Sequence, residues 1–180
     1  MSKKTKLIIG GVVGGFVVLL LALWAWGNSL PREHEVAMTA VYSQRKLELW
    51  ATILDYQSFP KWRTDITEGR QLPGRRLGWV EVSRHGETPV DIVQAKPGQR
   101  LITRIVDADL PYGGTWTYDL EPDKASGGTR LTLTQNGIIK PAWLRIMAKT
   151  KGHHSTVEQY LRDLGSRYEE TVEPELVPNE

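Results

Sequence analysis

Cysteine is absent from the 180-residue sequence, and histidine (four residues), methionine (three) and phenylalanine (two) are scarce. Without cysteine the chain has no disulfide framework, no thiolate metal site and no cysteine nucleophile. Acidic residues are missing from positions 1–27, although 21 occur elsewhere. The hydrophobic fraction of 40% and the charged fraction of 24% are those of a folded domain, which excludes an intrinsically disordered chain.

This uneven charge divides the chain into two parts. The net charge of +2 is owed to Lys3, Lys4 and Lys6, because the rest of the chain carries 20 basic and 21 acidic residues. A near-neutral domain with dispersed cations has no basic surface for phosphate backbones. We therefore predict no nucleic-acid partner.

Residues 7–26 form a run without any charged side chain. A helix of this length spans about 30 Å, the hydrocarbon thickness of a bilayer, and Trp24 and Trp26 fall at its interfacial end. The alternative is a cleaved signal peptide, whose apolar region is usually shorter. We predict a transmembrane helix over 7–26 after a cytoplasmic segment 1–6. The lysines before the helix predict a single-pass cell membrane protein with a cytoplasmic N-terminus and a C-terminal domain on the periplasmic or cell-surface side.

Four glycines lie inside this run: Gly10, Gly11, Gly14 and Gly15. Their spacing gives two overlapping small-xxx-small pairs, which let two helices approach closely. Glycine is also common in membrane helices in general. A homodimer through this helix is therefore one of two open interpretations.

The remaining sequence predicts one α+β domain over 35–170, after a polar linker over 27–34 and before a flexible tail over 171–180. Ser43 is a plausible N-cap for a first helix that Pro60 would end. Pro141 opens a long C-terminal helix. Period-two patterns and turn signals predict strands near 35–42, 64–72, 76–85, 88–95, 100–109, 115–121 and 129–136. A seven-stranded antiparallel sheet of this width must twist, and we expect it to wrap around the long C-terminal helix.

Residues able to do chemistry are few. His153 and His154 are adjacent, so in a helix they diverge by about 100° and do not chelate one ion together. The sequence has no motif typical of a hydrolase, a phosphate-binding loop or a dinucleotide fold. We predict no metal site and no cofactor.

Aromatic residues are the more informative group, since five tryptophans and six tyrosines follow residue 34. Amphipathic aromatic side chains line apolar ligand pockets, and they also fill ordinary cores. Gly152 in the predicted helix indicates a kink or a close approach beside a cavity mouth. The candidates for ligand binding are Trp62, Trp79, Trp116, Tyr118, Trp143, Met147 and His154.

The order of elements and several motifs resemble the SRPBCC superfamily, also called START-like or polyketide cyclase/dehydrase-like. The matching stretches are ELWATILDYQSFPKWRTDI (48–66), GWVEV (78–82), LPYGGTWTYDLEP (110–122), GGTRLTLTQNGIIKPAW (127–143) and VEQYLRDL (157–164). The resemblance implies a helix-grip fold that encloses a ligand cavity between the sheet and the C-terminal helix. Relatives often have glutamate where this chain has Gln135, so any acid–base role of that carboxylate is lost here.

Two functions from different classes follow from this resemblance. The first is a membrane-anchored module that binds a hydrophobic or lipid-like small molecule. The second is a polyketide cyclase- or dehydratase-like enzyme in the same cavity, for which His154, Tyr118 and Asp55 are candidate titratable groups. A histidine or aspartate that points into the cavity from the sheet would favour the enzyme.

Overall fold

The chain is described by a computed structural model that covers residues 3–74 and 77–178, with the backbone alone for 3–10. Residues 1–2 of the predicted cytoplasmic segment, position 76 of a predicted strand and residues 179–180 of the predicted tail lie outside the described residues. The elements in chain order are α1 (Lys3–Ser29), β1 (Glu33–Tyr42), α2 (Lys46–Leu54), a 3₁₀ helix (Tyr56–Lys61), β2 (Ile66–Gln71), β3 (Gly78–Ser83), β4 (Gly86–Lys96), β5 (Arg100–Ile105), β6 (Tyr112–Pro122), β7 (Thr129–Ile139), α3 (Ala142–Lys151), α4 (Ser155–Ser166) and β8 (Glu175–Leu176).

Helix α1 is long and apolar enough to cross a membrane, by length and composition. Its segment Gly11–Ser29 has a mean hydropathy of 1.8 and is 6% buried. A signal sequence has the same properties, so the helix fits either an anchor or a signal. It continues past Trp26 because side chains satisfy the carbonyls of its last turn: Asn28 donates to Trp24 O (2.9 Å) and Ser29 donates to Trp26 O (2.7 Å). The linker predicted over 27–34 is thereby reduced to residues 30–32.

Within the described residues, the sheet has eight antiparallel strands in the order β2-β3-β4-β5-β6-β7-β1-β8. The predicted count of seven is wrong because β8 lies in the segment expected to be a flexible tail. Thr39 pairs with Glu175 and Met38 with Leu176, and Val177 N–H donates to Ala37 O at 2.9 Å. An edge strand presents unpaired backbone groups, and β8 satisfies part of this edge of β1.

The C-terminal helix is not continuous, contrary to the prediction. Gly152 adopts φ +85°, which L side chains rarely adopt, and it separates α3 from α4. Pro141 is the N-cap of α3 rather than its first helical residue. α4 packs along the sheet as the grip helix, and its Val157, Leu161 and Leu164 are buried.

The first domain helix also differs from the prediction at both ends. α2 begins at Lys46 with Arg45 as N-cap, where Arg45 N–H donates to the Glu48 carboxylate at 3.2 Å. Ser43 instead contacts the Glu170 carboxylate. The helix ends at Leu54, and Pro60 lies inside the 3₁₀ helix that follows.

The core fills one end of the space between sheet and grip helix. Leu131 and Leu133 of β7 are fully buried together with Leu161 and Leu164 of α4. Tyr42 at the end of β1 donates its hydroxyl to Leu161 O at 2.8 Å, which ties the helix to the sheet. The other end of the same space, beneath α3, is left open.

Candidate functional site

A cavity of about 440 Å³ lies between the concave face of the sheet and the α3–α4 segment. Much of its wall is apolar or aromatic, which is typical of pockets for small hydrophobic molecules. From α3 the wall takes Leu144, Met147, Ala148 and Lys151, whose spacing is that of one helix face. The break at Gly152 then brings the start of α4 to the rim.

Four of the seven residues predicted from the sequence line this cavity: Trp79, Trp116, Tyr118 and Met147. They come from β3, β6 and α3, so the fold brings together side chains far apart in the chain. Contact of these residues with a ligand stays a prediction.

The other three are not among the lining residues. Trp62 is buried in the core, packed edge-on against Phe59 (5.5 Å between centroids) and Tyr160 (5.6 Å). Trp143 is 61% exposed because it lies one position away from the lining face of α3. His154 follows the break at Gly152, and its neighbour His153 lines the cavity in its place.

One wall holds a charged cluster around the buried Arg63, whose pairing with Glu81 was not predicted from the sequence. The Arg63 guanidinium donates to the Asp65 carboxylate at 2.9 and 3.2 Å and to Glu81 Oε1 at 3.1 Å. Trp79 Nε1–H donates to the same Glu81 oxygen at 3.0 Å. Arg63 also lies over the rings of Phe59 (5.4 Å) and Tyr160 (5.1 Å). Burial alone would lower the pKa of Arg63, but Glu81 and Asp65 raise it above its usual value, so the guanidinium stays charged.

Two tyrosines lie beside this cluster. Tyr118 and Tyr160 are buried with ring centroids 5.6 Å apart. Burial raises the pKa of both phenols well above the usual value, and the charge of Glu81 raises it further. Both groups therefore stay protonated at neutral pH and do not act as bases.

A second polar group lies where β1 and β7 meet the helix break. The rings of His34 and His153 are stacked with centroids 4.5 Å apart. Their Nδ1 atoms and Oε1 of Gln135 are buried and have no hydrogen-bond partner among the described residues. Burial lowers the pKa of His34, and the nearby His153 lowers it further, which disfavours the cationic form of His34 at neutral pH. All three side chains line the cavity.

His34 was not predicted to line the cavity because it falls in the linker predicted over 27–34. Its ring occupies the space in front of Gly137, where an added Cβ would lie 2.2 Å from His34 Cε1. The alternation of β1 could have revealed it, because His34 lies two and four positions before the inward residues Val36 and Met38 and so falls on the same face of the strand. Extending the strand by two residues would have placed His34 on the concave face.

The candidate acid–base residues are not brought together. Asp55 caps the end of α2 and neither it nor His154 lines the cavity, so Tyr118 alone of the three reaches it. Within 3–74 and 77–178 there is no group of three or more histidine, aspartate or glutamate side chains placed to hold a metal ion.

Helix α3 joins the cavity to α1. Arg145 is buried on α3, and its guanidinium donates to Gly27 O (2.9 Å), Lys140 O (3.1 Å) and Asn28 Oδ1 (3.2 Å). A Cβ added at Gly27 would lie 2.8 Å from Ala142 O, so the two helices touch through backbone. The cation at the C-terminal end of α1 also complements the helix dipole. We call this contact of Gly27, Asn28 and Arg145 the α1–α3 joint.

No protein-family model matches the chain, and no curated protein matches it. Among solved structures, the chain is similar to a START superfamily protein from Mycobacterium smegmatis, with 15% identity, a TM-score of 0.58, and coverage of 74% of this chain and 96% of that one. A conserved protein from Geobacillus kaustophilus gives a TM-score of 0.64 at 12% identity over 78% of this chain and 99% of that one. The protein XoxI from Bacillus cereus gives 0.53 at 15% identity over 77% and 96%. The chain thus has the START-like fold, and similarity at this identity shows the fold alone.

Proposed function

We propose that this chain is a membrane-anchored START-like domain that binds a hydrophobic or lipid-like small molecule in the cavity. The observation that carries the proposal is the cavity itself, of about 440 Å³, beside a tightly packed core in the same sheet–helix space. Transfer of apolar ligand surface from water contributes roughly 25 cal/mol per Å². An aromatic wall of this kind supplies that surface without a catalytic group.

The charged cluster on the wall supports a binding role. Arg63, Asp65 and Glu81 satisfy one another, so the cluster shapes the wall and leaves no unpaired guanidinium for an anionic substrate. Tyr118 stays protonated and contributes a polar edge to an apolar surface.

Anchoring would place this cavity next to its source of ligand. In this proposal α1 spans the membrane with its N-terminus in the cytoplasm, and the domain lies on the other side. The α1–α3 joint fixes α3 at the end of the span. Trp143 on α3 is exposed, as are Trp24 and Trp26 near the end of α1. Tryptophan prefers the headgroup region, so α3 and the adjacent cavity would lie at the membrane surface.

The test of ligand binding is native mass spectrometry of the full chain, purified in a mild detergent from its own host, with extraction of co-purifying lipids. Ala148→Trp should fill the cavity, because Ala148 lines it from α3. Lys149→Trp is the matched control, since its side chain is exposed one position along. We expect bound ligand in the unaltered chain and in Lys149→Trp and its loss in Ala148→Trp. Preparations that carry nothing, together with no binding from a lipid panel, would refute the proposal.

The absence of cysteine makes sidedness simple to test. Ala125→Cys places one thiol in an exposed turn of the domain, and Ser2→Cys places one in the predicted cytoplasmic segment. A membrane-impermeant maleimide should label position 125 in intact cells or spheroplasts and position 2 only after permeabilisation. Extraction of the chain by alkaline carbonate would contradict an anchored form and favour a cleaved signal.

A polyketide cyclase- or dehydratase-like enzyme in the same cavity is the second candidate. It is favoured by His34, an imidazole that lines the cavity from the sheet. The two candidates differ in what is recovered after incubation. A binding domain releases its ligand with unchanged mass, whereas a dehydratase releases a product whose mass is lower by one water.

The homodimer through α1 is a separate proposal. A Cβ added at Gly11, Gly14 or Gly15 meets nothing within 4 Å, so this side of the helix is open to a partner helix. Gly14→Leu should abolish cross-linking of two copies in membranes if the glycines form the contact.

A further inference from the structure

Three unpartnered polar atoms share one region of the cavity wall: His34 Nδ1 of β1, Gln135 Oε1 of β7 and His153 Nδ1 of the α3–α4 break. A buried polar atom without a partner destabilises a fold, because it has lost its hydrogen bonds to water. The sheet register brings the three side chains together. His34 pairs with Gly137, and Val36 pairs with Gln135, so His34 and Gln135 are neighbours on the concave face. The stacked rings then place His153 beside them.

The charge of this region indicates what kind of group would complete it. Burial and the nearby His153 lower the pKa of His34, which disfavours its cationic form. The Arg63 guanidinium is committed to Asp65 and Glu81, and the Lys151 side chain is exposed to solvent. An anionic head group would therefore be buried here without a partner of opposite charge, which is strongly unfavourable. A group that is uncharged and both donates and accepts hydrogen bonds meets the requirement.

A hydroxyl group has this property. A neutral imidazole offers one donor and one acceptor nitrogen, and a glutamine amide offers an acceptor oxygen and donor hydrogens. One hydroxyl can donate to Gln135 Oε1 while it accepts from an imidazole N–H. An ether accepts and does not donate, and an alkane does neither.

We propose that the His34–Gln135–His153 group binds the hydroxyl of an otherwise apolar ligand, such as a long-chain alcohol or a sterol-like molecule. The proposal rests on the ligand-binding function above and specifies which end of the cavity holds the polar end of the ligand. The remaining wall, with Trp116 and Met147, would contact the apolar part.

The experiment titrates decan-1-ol, 1-methoxydecane and decanoate at pH 8 into the full chain in detergent, followed by tryptophan fluorescence, since Trp79 and Trp116 line the cavity. We expect the alcohol to bind about tenfold tighter than the ether, the equivalent of one hydrogen bond of about 1.4 kcal/mol. Decanoate should bind no tighter than the ether.

Variants then assign the preference to the group. Gln135→Leu removes the acceptor that the alcohol can use and the ether cannot, so it should bring the alcohol-to-ether ratio close to one, and binding of the ether by this variant would show that the cavity is intact. His34→Phe and His153→Phe should weaken binding of both probes, because both can accept from an imidazole N–H. His154→Phe is the matched control, because this imidazole does not line the cavity, and it should keep the ratio. Comparing each variant with the unaltered chain cancels partition of the probes into detergent.

The outcomes separate the two proposals. Equal binding of alcohol and ether, tighter binding of decanoate, or an unchanged ratio in Gln135→Leu would overturn the hydroxyl site and leave the hydrophobic binding function in place. Failure of all three probes to bind the unaltered chain would overturn both.

Discussion

Replacing Arg63 with methionine should strongly destabilise the domain, because it breaks the charged cluster on the cavity wall. The Arg63 side chain is 7% exposed, and its two partners differ in exposure, at 18% for Glu81 and 49% for Asp65. Asp65 can turn to water when the guanidinium is removed. Glu81 is less exposed, and its carboxylate would keep the Trp79 N–H as a partner but lose the cation.

The expected loss is about 3–5 kcal/mol, the usual result of removing one member of a buried ion pair. Methionine keeps the apolar part of the side chain, so the loss reports the charge, its hydrogen bonds and its contacts with the rings of Phe59 and Tyr160. For a domain of this size 1 kcal/mol lowers the unfolding midpoint by about 2–4 °C. Thermal unfolding of the full chain in detergent, followed by circular dichroism, should therefore show a midpoint roughly 6–20 °C lower.

A double-mutant cycle and a surface pair complete the test. Glu81→Gln removes the charge and keeps an acceptor for Trp79, so it should recover part of the loss in the Arg63→Met background, with a coupling of about 1–3 kcal/mol. Arg100→Met is the matched control, since its half-exposed pair with Asp119 contributes little. If Arg63→Met shifts the midpoint no more than Arg100→Met does, or if the two changes at 63 and 81 are additive, the cluster does not stabilise the wall as described.

Three further predictions concern other parts of the molecule. The pKa of Asp123 is held at about 2 by hydrogen bonds from Ser126 and Arg130, below the unfolded value of 3.8. The ionised Asp123 carboxylate therefore stabilises the fold above pH 4, and this stabilisation is lost as the pH falls from 4 to 2. Asp123→Asn should make the decrease of the unfolding midpoint over this pH range smaller. An unchanged profile would contradict this. Gly27→Val should separate the α1–α3 joint and increase protease cleavage at residues 27–32, whereas Gly15→Val, with open space around it, should not. A stop codon after residue 173 removes β8 and should cause concentration-dependent aggregation through the exposed edge of β1, measured by sedimentation; a fully soluble truncated chain would show that β8 does not protect the edge.

Much of the fold could be predicted from local patterns. Period-two alternation predicted the strands, because each strand has one buried and one exposed face in the sheet. The START-like arrangement of sheet and grip helix is confirmed. Gly152 indicated a kink or a close approach, but a full break between two helices could not be predicted, since a glycine inside an otherwise helical pattern has the same local signature as a tolerated one. β8 was missed for a related reason. Two residues in a proline-containing acidic tail have no strand pattern. They form a strand because they pair with the free edge of β1.

The candidate site was predicted in part because aromatic residues on alternating strand positions are visible in sequence. Trp79, Trp116 and Tyr118 follow that rule, and Met147 follows the face of α3. The polar members could not be found this way. The pairing of Arg63 with Glu81 and of His34 with His153 depends on the register between distant segments, which no local pattern contains.

The position of β1 in the sheet has a consequence for how the domain is made. β1 is the first strand to leave the ribosome, but its pairing partners are β7 and β8, and its pair nearest in sequence joins Tyr42 to Thr129. Strands β2 to β7 pair with their sequence neighbours and can form as successive hairpins, whereas β1 must wait roughly 5–20 s for β7 to be synthesised. During that interval the strand next to α1 has both hydrogen-bonding edges free. Closure of the sheet by β1 is therefore expected to be the late step of folding, and the segment just after α1 is the one that a nascent-chain chaperone would need to cover.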